Sequence, residues 1–127
     1  MSVGIPEIDE DEKQFISLVD AFNRSIVDRM DISEVKARLK TILDETERHF
    51  PDEERLLKKL RYPDVGEHVI SHMQLTKLIH NVKARSENFS TEYQWIEAGL
   101  MIKEAIIDHI LKEDHKYAEY FRTSRST

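Results

Sequence analysis

The chain has 127 residues, with 19 Lys and Arg, 25 Asp and Glu, six His and no Cys. One domain of that length can bury a core without disulfides, and the missing thiols exclude disulfide staples, thiolate zinc sites and iron–sulfur clusters. A net charge of -6, with basic residues scattered among acidic ones, leaves no basic stripe for nucleic acid.

Apolar periodicity predicts four helical stretches in a single domain spanning 1–127. After an N-terminal arm over 1–8, the first stretch runs from about Asp9 to Met30. Ile8, Phe15, Val19, Phe22 and Ile26 share a stripe, and Glu12 falls on it too. Asp31 with Glu34 three residues on marks the start of the second stretch, about Ser33 to Leu60. Its stripe is Val35, Leu39, Ile42, Thr46, His49, Glu53, Leu56 and Leu60. Pro51 lies between His49 and Glu53, lacks a backbone N–H, and predicts a kink or a break there.

Arg61-Tyr62-Pro63-Asp64 connects to a third stretch, about Val65 to Ser86, striped by Val65, His68, His72, Leu75, Ile79 and Val82. Ser90 or Thr91 can cap the fourth, which reads Trp95, Ala98, Ile102, Ala105, Ile106 and His109. Asp114 is five residues beyond His109 and off its stripe, so it points inward only if the helix ends or tightens there. Residues 118–127 read as a frayed tail. Short loops between long helices predict an all-α, up-down-up-down four-helix bundle.

The stripes carry His and acids where a core should be apolar. One histidine on such a stripe is ordinarily a hydrogen-bonded core residue, and one buried Glu is ordinarily paired with a cation. Here four His and at least two carboxylates face inward on three helices, with few cations to meet them. A metal resolves the cost, because it takes neutral imidazole lone pairs and stabilises carboxylate charge. Five or more ligands exceed one ion's needs, so two ions are expected. Imidazole and carboxylate without thiolate suit iron, manganese or zinc. The Glu-x-x-His spacing of ferritin-type sites and the His-Glu-x-x-His of zinc proteases are both absent.

The ordered set His49-x-x-x-Glu53, His68-x-x-x-His72 and His109-x-x-x-x-Asp114, with Gly4-Ile5-Pro6-Glu7-Ile8-Asp9, Phe50, Glu54, Tyr62-Pro63 and Tyr117, resembles the bacterial-type hemerythrins over nearly the whole chain. That resemblance implies two iron ions with a bridging oxo or hydroxo group. His68, His72 and His109 would hold one iron, Glu53 and Asp114 would bridge, and His49 would serve the second iron, where dioxygen binds. Phe50, Ala105, Ile106, Leu111 and Tyr117 would surround the oxygen pocket or its ligands. The family's first-helix motif, roughly Ile-Asp-x-Gln-His-Lys, stands here as Ile8-Asp9-Glu10-Asp11-Glu12-Lys13, so Glu12 takes the place of a ligating His. Ala105 stands where bacterial members commonly carry Trp.

The resemblance implies a dioxygen carrier, store or sensor. Glu12 motivates an oxidase- or peroxidase-like alternative, and a mononuclear or metal-free interaction bundle is the third reading. No apolar run approaches the ~20 residues that span a bilayer, and the N-terminus lacks the basic start and apolar stretch of a signal peptide. A cytoplasmic protein with no membrane contact is therefore expected.

Overall fold

The computed structural model describes residues 6–116, 119, 120 and 122, with side chains from Ile8 onward except that of Asp114. Four antiparallel helices form the bundle: α1 Pro6–Val27, α2 Ile32–Lys59, α3 Val65–Ser86 and α4 Glu92–His109. Each helix packs on its sequence neighbour and α4 closes back on α1, so the ring is complete. The described residues contain no strand. No helix among them is long and apolar enough to cross a membrane.

α1 starts earlier than the periodicity suggests. Pro6 opens it, where the missing N–H costs nothing, and Ile8 is already buried against Leu57 and Tyr62. Residues 6–8 thus belong to the helix and not to an arm. Phe15, Val19, Phe22 and Ile26 enter the main core as expected.

α1 and α2 both stop by a left-handed residue, Arg29 at φ 54° and Arg61 at φ 59°. The following N–H reaches back five residues, from Met30 to the Ser25 carbonyl and from Tyr62 to the Leu57 carbonyl, at 3.0 Å each. This is the Schellman closure usually made with glycine. Buried Tyr62 supplies the apolar contact that accompanies it.

α2 runs through Pro51 without a break. Its buried track follows Val35, Leu39, Ile42 and Thr46 as predicted, then continues as Phe50, Glu53 and Leu57. It does not continue through His49, Leu56 and Leu60: His49 keeps 16% of its side chain exposed, Leu56 is only partly buried and Leu60 is exposed. A step of three or four from Thr46 is equally helical, and the larger apolar ring of Phe50 takes the interior place. Since Pro51 removes one helical hydrogen bond, Pro51→Ala should raise stability by about 1–3 kcal/mol. Urea unfolding of the variant measures this, and a lower midpoint would mean that the proline's geometry is needed to seat Phe50.

α3 buries His68, His72, Leu75, Ile79 and Val82, the predicted stripe. α4 is capped by Thr91, which accepts from the Gln94 N–H while the Gln94 side chain accepts from the Thr91 N–H. Trp95, Ala98, Ile102 and Ile106 are core residues. Gly99 lies where α1 comes close: a Cβ there would meet the Asn23 Oδ1, and Asn23 donates to the Gly99 carbonyl at 3.4 Å.

After His109 the chain does not tighten. Ile110–Asp114 is a π-helical segment, in which hydrogen bonds span five residues and the turn is wider. The expected tightening is thus replaced by a loosening of the backbone. The Asp114 side chain and all of Tyr117 lie outside the described residues. Of the predicted tail, Glu119, Tyr120 and Arg122 are helical, and Tyr120 packs edge-on against Tyr62.

Candidate metal centre

Where α2, α3 and α4 face one another near the His49 end of the bundle, four buried polar side chains converge. His68 and His72 are one helical turn apart on α3, with ring centroids 4.4 Å apart. His109 comes from the end of α4, 5.1 Å from His68 and 4.7 Å from His72 by the same measure. One ring nitrogen from each of the three lies within 4.8 Å of the others. Glu53 from α2 places Oε1 at 3.9 Å from His68 Nε2 and 3.7 Å from His72 Nε2. Those separations exceed a hydrogen bond. Two atoms each about 2.1 Å from a shared ion stand roughly 3–4 Å apart, which is what the Glu53 and histidine atoms show.

The protonation chemistry agrees. Burial is the first cause of a lowered pKa at all three histidines. His68 falls to about 3, with His109 adding to the effect. His72 is driven lower still, with His109 and His68 contributing. His109 falls to about 4, held up against burial by the Glu113 and Glu12 carboxylates. All three imidazoles are therefore neutral at neutral pH, the form that ligates a metal.

Two partners aim the rings. Glu54 Oε2 accepts from His72 Nδ1 at 2.8 Å, and Ser71 Oγ stands 2.8 Å from His109 Nδ1. Engaging Nδ1 leaves Nε2 of each ring for the interior. His72 Nε2 is buried and makes no hydrogen bond. Phe50 stacks flat on the His72 ring, at 3.8 Å and 8° between planes, which fixes its orientation further. A carboxylate or hydroxyl behind a ligating imidazole is the usual way to set its tautomer. The donor set, its neutrality and these supports fit a bound cation.

Residues 3–121 match the Hemerythrin HHE cation binding domain. The chain belongs to the hemerythrin family. It is similar to the bacteriohemerythrins of three Campylobacter jejuni subsp. jejuni strains, of serotypes O:6, O:2 and O:23/36, each 30% identical over 91 residues. The match covers 69% of this chain and 65% of each relative, so it spans a little under two thirds of their length. No solved structure matches the chain. Hemerythrins are non-haem iron-binding proteins, and a centre of imidazole and carboxylate without thiolate suits that metal.

The other residues expected in a hemerythrin site are placed as follows. Glu12 is 4% exposed and near enough to His109 to affect its proton affinity. His49 lies at the margin, with Nδ1 3.1 Å from Asp11 Oδ1 and Nε2 2.7 Å from Glu45 Oε2. Phe50 and Ile106 are buried and Ala105 is partly so. Leu111 is 50% exposed and forms no wall of the centre, because a position two residues past His109 falls on the opposite side of the helix. His80 is exposed and pairs with Glu47 at 2.9 Å. His115 is exposed as well.

Sequence reasoning placed Glu54 in the family resemblance without a role, and missed Ser71 and Glu113. The signal for Glu54 and Ser71 was adjacency alone: each sits beside a candidate ligand on a helix, where its own face cannot be judged without the neighbouring helix. Glu54→Gln removes the anion behind His72 but keeps an acceptor. It should weaken metal binding about 10-fold, toward 100-fold for Glu54→Ala, with Ser71→Ala milder than either. Metal titration of the three variants measures the order.

Proposed function

We propose that this hemerythrin domain binds two iron ions in a carboxylate-bridged centre and takes up dioxygen as a carrier, store or sensor. The convergence of three neutral buried histidines with Glu53 supports it most directly. His68, His72 and His109 would hold one ion, with Glu53 shared. Glu12, His49 and Asp114 are the candidates for the second. Bound iron would supply an electron source and an open coordination position for a small molecule. The chain's own part would be to keep that position dry: Phe50 lies against the His72 and His109 rings, and Ile106 is buried on the same helix as His109, apolar surface that would keep water and protons from displacing a bound ligand.

The buried Glu12 supports a second reading, an oxidase- or peroxidase-like or iron-handling protein. A carboxylate adds a negative charge where the family pattern has neutral imidazole, and extra anionic charge favours ferric over ferrous iron. It also competes for the open position. Loading with ferrous iron without oxygen, counting metal, then adding and removing oxygen separates the two. A visible absorption band that comes and goes with oxygen supports the first. Immediate irreversible oxidation, or turnover with peroxide, supports the second. One ion or none per chain removes both. Glu12→His should lengthen the life of the oxygenated form about tenfold or more, a change of ~1.4 kcal/mol in barrier. If variant and parent decay alike, Glu12 does not face the reacting iron.

A further inference from the structure

Histidines that are ready to ligate leave one ring nitrogen open toward the ion. His72 meets that condition, with Nδ1 held by Glu54 and Nε2 turned inward, and one ring nitrogen from each of His68, His72 and His109 already lies within 4.8 Å of the others. His49 does not. Asp11 of α1 holds its Nδ1 at 3.1 Å, and Glu45, one turn earlier on α2, holds its Nε2 at 2.7 Å. The clamp is itself supported: Arg48 lies 3.5 Å from the other Glu45 oxygen, and Phe15 packs edge-on against the His49 ring at 6.0 Å. Asp11, Glu45 and the His49 ring are all about five-sixths buried, so water competes poorly for these contacts. While both contacts last, neither ring nitrogen is available to an ion.

We propose that the two metal positions fill in a fixed order: the three-histidine position takes the first ion, and the second enters only when His49 releases Asp11 or Glu45. The proposal rests on the two-ion reading above. Asp11 and Glu45 act here as positioning residues: they hold His49 back, and whichever one stays bonded aims the ring once the other lets go. Second-ion occupancy then depends on a rearrangement that the first does not need, so the first ion is held tightly and the second exchanges readily.

Zinc, a diamagnetic ion, allows the order to be watched without redox chemistry. In the unaltered protein, ring-nitrogen NMR at one equivalent of zinc should show His68, His72 and His109 shifted and His49 unmoved. The second equivalent should move one His49 nitrogen. Calorimetry should give two steps, the second at least ~10-fold weaker. His49→Ala should abolish the second step and leave the first within about twofold, well inside the ~10-fold expected for a disturbed ligand shell. The fixed order is overturned, with the two-ion reading intact, if His49 responds together with the other three or if His49→Ala weakens both steps alike. Saturation at one zinc with His49 still unmoved overturns the two-ion reading and the order with it.

Discussion

Metal-free protein at pH 5 should unfold in far less urea than at pH 7.5. In the unfolded chain each imidazole titrates near ~6.5. In the folded chain burial holds His68 at about 3, His109 at about 4 and His72 lower. Between those values and 6.5 the unfolded state binds protons that the folded state refuses. Stability therefore falls as pH falls through that window, and is fully present only above ~6.5. Three such groups cost roughly 6 kcal/mol by pH 5, against a total stability of about 5–15 kcal/mol for an ordinary domain.

Glu54 and Asp11 act in the opposite sense. Burial raises both carboxyls, so the folded state takes up protons there on acidification. Both retain contact with solvent, and their offset is the smaller effect. Equal urea midpoints at the two pH values would mean that the histidines are solvated and that the centre is not dry.

Chelation should produce the other large change. An ion that binds only the folded chain stabilises it by about 4 kcal/mol per site at a thousandfold excess over Kd. For a domain of this size that corresponds to a Tm higher by roughly 10–20 °C in the metal-loaded form. The gain would arise because the candidate ligands come from different helices: Glu53 on α2, His68 and His72 on α3, His109 at the end of α4. One ion ties three elements together. Calorimetric scans with and without a chelator provide the measurement. A Tm unmoved by chelation would show that the side chains converge for a reason other than metal.

Much of this was readable in the residue order. The i, i+4 spacing of His68 and His72 on an apolar stripe needs only helical geometry to imply that both face inward. The same holds for Glu12 among Ile8, Phe15 and Val19, and Thr91 was one of the two cap candidates for the fourth helix. The helix ends were harder. Arg29 and Arg61 adopt a left-handed backbone that is normally signalled by glycine, and only the backbone hydrogen bonds from Met30 to Ser25 and from Tyr62 to Leu57 reveal it.

The sequence by itself determined that four amphipathic helices exist, that their inner faces are polar at one level, and which residue types meet there. Periodicity carries that information because it is local to one helix. Tertiary structure alone decided which of two adjacent residues turns in, Phe50 before His49. It also decided how the chain widens after His109, and which carboxylate stands behind which imidazole. Those outcomes depend on the neighbouring helix, since a ring goes where the facing surface leaves room and a carboxylate goes where a ring nitrogen awaits it.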